Sequence, residues 1–165
     1  MSYYIVIRGP LGAGKSTVSE RLAKEIGAKH VLIDQILEDR GLWDEGRESE
    51  FLKANEFAVE EASPLLEQGT PVILDGNFYF RSVIEDLLGR LRGDHYVFTL
   101  KLPLSVCIER DRRRSTPHGT EAARAVFAKS TAFHYGVEID ASRPLETVVR
   151  EIQTLITKGP TYRAL

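Results

Sequence analysis

Cysteine occurs once in this chain, at Cys107, which excludes an intrachain disulfide and a cysteine-based metal cluster and fits a reducing compartment. Long apolar runs are missing too. No stretch approaches the ~20 consecutive apolar residues needed to span a bilayer. No basic segment followed by an apolar one precedes the first strand-like run, which begins at Tyr3. Charge of one sign is not in excess: the formal net charge of -2 gives no surface-wide field to gather nucleic acid, so any polyanion contact is expected to be local. The four histidines His30, His95, His118 and His134 lack the spacing of a metal site, which favours surface or capping roles. Internal repeats, linkers and low-complexity tracts are absent. The expectation is a soluble, cytoplasmic protein with one domain over residues 1–165, the chain being 42% hydrophobic and long enough for one well-filled core.

What is present is concentrated near the N-terminus. Residues Gly9 to Thr17 read GPLGAGKST and directly follow the apolar run Tyr3 to Ile7, while Val18, Leu22, Ala23 and Ile26 fall on one face of a helix that begins inside the motif. Strand, loop and helix stand in the order a phosphate-binding loop requires. Gly9, Gly12 and Gly14 allow backbone conformations that side chains obstruct, so successive N–H groups point into one concavity of phosphate size. The helix start adds roughly half a positive charge. Lys15 supplies a mobile charge for the β and γ phosphates, Ser16 offers a hydroxyl to magnesium, and Thr17 supports the arrangement. The candidate ATP contacts in this loop are therefore Gly9, Leu11, Gly12, Ala13, Gly14, Lys15, Ser16 and Thr17.

Further along, Lys29 to Ile33 reads as a short strand ending in Asp34, and a brief helix through about Arg40 leads to a turn-rich stretch, Gly41 to Arg47, that is a candidate substrate loop. A helix is expected from about Glu48 to Glu67, then a strand Val72 to Leu74 closed by Asp75, a helix Phe80 to Leu91 and a strand Tyr96 to Leu102. Pro103 opens a helix to about Arg114. Ser115 to Thr120 reads as an exposed loop, Glu121 to Phe133 as a helix and Val137 to Ile139 as the last strand. A helix from Pro144 to Thr157 and a short polar tail follow. This alternation implies an α/β fold in three layers, a five-stranded parallel sheet covered by helices on both faces. Ligands of such sheets sit beyond the carboxyl ends of the strands, where Gly9, Asp34, Asp75 and Asp140 should gather.

Nearly the whole chain resembles the small P-loop kinases, the group of adenylate, shikimate and gluconate kinases, chloramphenicol phosphotransferase and the kinase domain of polynucleotide kinase. The likeness is carried by GPLGAGKST, VLIDQILED, VILDGN, IERDRRRS and VEIDASRPLETVVREI, of which the first is the most specific. It implies a P-loop NTPase fold with a small helical lid at about 111–133, and ATP and Mg2+ as the nucleotide and metal. It places Asp34 against the acceptor hydroxyl as base or orienting group; the rival role is a helix cap. Asp75 takes the Walker B place, holding magnesium together with Ser16, again with a cap as the rival. Arg110 and Arg114, one turn apart on a helix, would reach adenine and the transferring phosphate, with Arg113 as an alternate and a solvated basic helix end as the competing view. Ser142 and Arg143, in the turn DASRP, fall where relatives hold adenine; the same residues also suit a helix start.

Asn77, Phe78, Tyr79 and Arg81 are candidates for the acceptor pocket, the aromatics also suiting core anchors. Trp43 is expected to cover apolar surface beside its loop. The chain departs from shikimate kinases, which show a glycine triplet where it has DGNFYF, and Arg40 is only a loose match to the AMP-binding arginine of adenylate kinases. The expected activity is transfer of the γ-phosphate of ATP to a hydroxyl or phosphate of a small-molecule acceptor, with catalytic residues Lys15, Asp34, Arg110 and Arg114. A 5′-hydroxyl nucleic-acid kinase and a nucleotide-dependent switch stay open as alternatives, although the N-K-x-D motif of guanine-specific switches is absent.

Overall fold

The computed structural model describes residues 2–159; of the polar tail expected after Thr157, residues 160–165 lie outside them. Five parallel strands form one sheet in the order β2-β3-β1-β4-β5, namely β1 (Tyr4–Arg8), β2 (Lys29–Leu32), β3 (Val72–Asp75), β4 (His95–Lys101) and β5 (Val137–Asp140). Registers such as Val6 with Leu74 and with Val97 align the carboxyl ends of the central strands. Those ends carry the loops discussed below.

Each central strand is apolar on both sides, and alternation sends its residues into two cores. Tyr4, Val6, Val31, Leu74 and Val97 pack against α2 (Ile33–Asp39), α3 (Glu48–Glu67) and α4 (Arg81–Arg90), through residues such as Leu37, Phe51, Ala58 and Leu87. Ile5, Ile7, Ile73 and Phe98 pack against α1 (Lys15–Ile26), α5 (Leu104–Arg112) and α7 (Leu145–Thr157), meeting Val18, Leu22, Cys107 and Val149. Fully burying such an aliphatic side chain stabilises by about 1.5–3 kcal/mol, so the two cores outweigh any single polar contact described here. The remaining helix, α6 (Thr120–Ser130), packs on α5. Among the described residues no helix is long and apolar enough to cross a membrane.

The order of elements agrees with the sequence reading, and the differences lie at the ends. Ile33 and Asp34 belong to α2 and not to the second strand. The helix opened by Pro103 stops at Arg112, so Arg114 sits in the following turn and shares no helix face with Arg110. Its carbonyls are closed there by Arg113 and Arg114 N–H groups reaching back to Glu109 and Asp111. Trp43 lies edge-on against Phe51 with 46% of its surface exposed, the packing role expected of it.

Candidate active site

Between β1 and α1 the glycine loop is held by a backbone hydrogen bond of its own. The Ala13 N–H donates to the Pro10 carbonyl at 3.2 Å, and Gly12 adopts a left-handed φ of 76°. A side chain at Gly12 would place its Cβ 2.4 Å from the carbonyl oxygen of Cys107, so only glycine fits where the loop crosses α5. Gly14 leads into α1 with no side-chain cap, which leaves first-turn N–H groups facing outward at the positive end of the helix. Lys15 is buried at the first helical position and donates to the Pro10 carbonyl at 3.0 Å. Burial pushes its ammonium pKa down, while the charges of Asp75 and Asp34 oppose that shift.

A cavity of about 440 Å³ opens over these groups at the carboxyl edge of the sheet. Leu11, Gly12, Gly14, Lys15, Ser16 and Thr17 form one wall. Asp34, Gln35 and Glu38 of α2, Asp75 and Asn77 at the end of β3, and Arg110, Arg114 and His118 from α5 and the turn after it line the rest. A second hollow, of about 230 Å³, shares Gly14, Thr17 and Arg110 with the first and adds Ala13, Ala141 and Arg143. Arg110 stands between the two and donates to the Ala141 carbonyl at 3.1 Å. Gly9 lines neither hollow; it lies against the Leu100 carbonyl in β4. Ser142 lines neither as well, its N–H and hydroxyl both bonding Asp140, whereas Arg143 pairs with Glu151.

The two carboxylates expected from the strand ends sit in different surroundings. Asp75 Oδ2 accepts from the Ser16 hydroxyl at 2.9 Å and lies 3.0 Å from His30 Nε2 on the neighbouring strand. His30 was not recognisable from sequence as a site residue, because its place beside Asp75 depends on the register of β2 against β3. Asp34, the second residue of α2, has a buried Oδ1 with no hydrogen-bond partner among the described residues. Burial pushes its carboxyl pKa up; Lys15 pulls it down, and Asp75 and Glu38 add to the rise.

After β3 the chain takes an unusual path. Phe78 has φ 46°, the one left-handed non-glycine residue among those described, and such strain costs about 1–3 kcal/mol unless its surroundings hold it. Arg8 supplies that hold. Fully buried at the end of β1, it donates from Nε to the Phe78 carbonyl at 3.3 Å, from Nη1 to Thr99 Oγ1 at 3.1 Å and from Nη2 to the Ser130 carbonyl at 2.9 Å. Its guanidinium also stacks over Phe133, 4.5 Å from the ring centre. None of these partners is a carboxylate, and burial, with the nearby charge of Arg81, pushes its pKa down to about 10. Arg8 thereby ties the end of α6 to the strand ends, a role that its position in an apolar strand did not announce.

Of the four residues considered for the acceptor pocket, only Asn77 lines the cavity. Phe78 and Tyr79 are core residues, and Arg81 turns away to donate to the His134 carbonyl at 3.1 Å. The Asn77 amide bonds the Tyr79 hydroxyl, whose pKa burial and the Asp34 charge push up to about 12. Asn77 Oδ1 is left buried without a partner.

Above the cavity, Asp111 is almost fully buried and accepts the N–H groups of His118 at 3.1 Å and Gly119 at 2.9 Å, with His118 Nδ1 at 3.0 Å. Burial alone would raise its pKa, and these donors outweigh that effect and hold it low. Asp111 thus shapes the turn that carries Arg114 and His118 over the cavity. Arg112 and Arg113 point elsewhere, toward Thr120 and Glu109.

Residues 5–136 match the family described as AAA domain. A shikimate kinase of Actinobacillus succinogenes is 27% identical over 129 residues, 74% of this chain and 73% of that protein. The fold is similar to that of a sugar kinase from Janibacter sp. HTCC2649, with TM-score 0.79 and 17% identity over 99% of both chains. It is also similar to a gluconokinase from Sinorhizobium meliloti 1021, with TM-score 0.71 and 21% identity over 94% of this chain and 91% of that one. A shikimate kinase from Acinetobacter baumannii in complex with shikimate gives TM-score 0.65 and 19% identity over 96% and 94%.

Proposed function

We propose that this chain, which belongs to the AAA domain family, is a kinase that moves the γ-phosphoryl group of ATP to a hydroxyl of a small molecule. One observation carries the reading: a single cavity has a phosphate-binding loop at one end and, across the gap, an unpartnered buried carboxylate oxygen on Asp34. The names of the relatives, a shikimate kinase, a gluconokinase and a sugar kinase, support a small-molecule acceptor.

In this reading the triphosphate lies along the loop N–H groups and the start of α1, its base in the second hollow beside Ala141 and Arg143. Lys15 leaves the Pro10 carbonyl to follow the β and γ oxygens. Asp34 Oδ1 accepts the proton of the acceptor hydroxyl as its oxygen attacks the γ-phosphorus and the bond to the β–γ bridging oxygen breaks, with ADP leaving. Arg110 and Arg114 offset the charge that spreads over the transferring oxygens. Ser16 and Asp75 are hard oxygen donors already joined by a hydrogen bond beside Lys15, a set that fits Mg2+. When bound there, Mg2+ would supply neutralising charge to the phosphate oxygens. The turn after α5, together with α6, serves as the lid that excludes water, within one catalytic unit over residues 1–165.

The test is ADP release with Mg·ATP against a panel of hydroxylated metabolites, nucleosides and 5′-hydroxyl oligonucleotides, with the product identified by 31P NMR. Acceptor-stimulated turnover of one small-molecule class is expected. Tight Mg·ATP binding with no acceptor that raises turnover would overturn the reading in favour of a nucleotide switch.

A further inference from the structure

Resting on the kinase reading, we propose that the acceptor end of the cavity takes a cationic hydroxyl compound, an amine-bearing polyol, in preference to a hydroxy acid or a phosphate ester. The wall beyond the phosphate loop offers hydrogen-bond acceptors. Asn77 is 3% exposed, and its Oδ1, buried and without a partner, belongs to a side chain lining the cavity. The amide hydrogens of Asn77 are turned to Tyr79, which leaves its oxygen as the polar atom of this side chain still to be satisfied. Asp34 Oδ1 is likewise buried and unpartnered. The Gln35 amide nitrogen donates to Asp39 at 2.7 Å, which leaves its carbonyl oxygen for the cavity. Glu38, one turn after Asp34, lines the same wall, is exposed and forms no salt bridge among the described residues.

Cations line the same cavity. In the kinase reading Lys15, Arg110 and Arg114 are taken up by the phosphate oxygens of ATP, and His118 is turned to Asp111. With those cations engaged by ATP, a carboxylate or phosphate on the acceptor would meet Asp34, Glu38 and an amide oxygen, in a site where closure raises the cost of like charges. An ammonium group relieves the repulsion between Asp34 and Glu38, and its three N–H donors satisfy oxygens that otherwise stay bare. A hydroxyl of the same molecule then reaches Asp34.

The experiment uses matched acceptors on one skeleton: glucosamine, glucose and gluconate, with serinol, glycerol and glycerate as a second series. Binding is read as the thermal shift of the Mg2+ complex with a non-hydrolysable ATP analogue, and turnover as kcat/KM with ATP. In at least one series the amine is expected to exceed its carboxylate counterpart by tenfold or more, with the neutral compound between. Glu38→Gln should shrink that ratio about tenfold while leaving the shift caused by the ATP analogue alone unchanged. The inference is overturned if a carboxylate binds as well as its amine, if no series discriminates, or if Glu38→Gln leaves the ratio intact. Those results, with the analogue still stabilising the protein, spare the kinase reading; if the analogue gives no shift, both fall together.

Discussion

In the kinase reading the two ends of the cavity, phosphate and acceptor, are built on opposite principles. At the phosphate end the groups bond one another: Lys15 to the Pro10 carbonyl, Ser16 to Asp75, Asp75 to His30. At the acceptor end, oxygens of Asp34 and Asn77 are buried and bare, beside a left-handed Phe78 held by Arg8. A triphosphate is the same in every kinase, so its site can be completed in advance by backbone and short contacts. An acceptor is recognised by bonds the protein has left unmade, because an analogue lacking the partner group then leaves them unsatisfied.

The sharpest way to break this contrast is at the phosphate end. Lys15→Ala is expected to lower kcat/KM on the order of 10³-fold, the upper range for removing one preorganised donor, and to weaken Mg·ATP binding as well. Gly12→Ala should behave similarly, since its Cβ collides with the Cys107 carbonyl. Calorimetric titration with Mg·ATP checks both; nucleotide affinity unchanged in either variant would remove the completed phosphate site from the account.

At the acceptor end the expected pattern is different. Asp34→Asn should cost about 10²-fold in kcat, the low end for a general base because positioning persists, with Mg·ATP affinity intact. The pH dependence follows from the same group. Burial, reinforced by Asp75 and Glu38 against the pull of Lys15, raises the Asp34 pKa, so its basic form is lost as pH falls through a value above the ordinary aspartate range of about 4. The acid limb of kcat should lie above that range in the wild type and vanish in Asp34→Asn. An unchanged limb in the variant would assign it to another group.

The same contrast explains what could be read without coordinates. The phosphate end lies in one contiguous run, Gly9 to Thr17, whose residue types and spacing state their chemistry locally, and the strand–helix alternation around it determined the sheet. Asp34 and Asp75 were legible because each follows an apolar strand. Arg8 and His30 were not, since their partners lie 70 to 122 residues away for Arg8 and 45 for His30, and only the packed fold, with strand register in the case of His30, brings them together. Arg114 lines the cavity for a reason other than helical spacing: the turn organised by buried Asp111 brings it there.

His30 sharpens the comparison with a smaller effect, because it acts on the phosphate end through Asp75. His30→Ala should raise the Mg2+ concentration needed for half-maximal activity about tenfold, the low end for loss of a group that orients a metal-binding carboxylate. Nucleotide binding measured without Mg2+ should not move, and His30→Gln, which can still donate, should recover most of the loss. An equal drop in metal-free binding would mean that His30 merely supports the sheet.

The smallest expected effect concerns the support of the acceptor end. Glu50 in α3 accepts the N–H groups of Glu45 and Gly46 at 3.1 and 2.9 Å and pairs with Arg47, closing the loop 41–47 whose Gly46 approaches the Tyr79 hydroxyl that holds Asn77. Burial alone would raise the Glu50 pKa, yet these donors outweigh it and hold the carboxyl at about 2. A carboxyl depressed in the folded state stabilises fully above its unfolded pKa of about 4.3 and loses that contribution as pH falls toward the folded value. Glu50→Gln should therefore lower Tm most near neutral pH, and the gap from wild type should close between pH values of about 4 and 2. Because the loop reaches toward the cavity through Tyr79 and Asn77, the same variant should raise the acceptor KM a few-fold and leave the KM for ATP in place. A matching rise in both KM values would show that the two ends of the cavity are not supported separately.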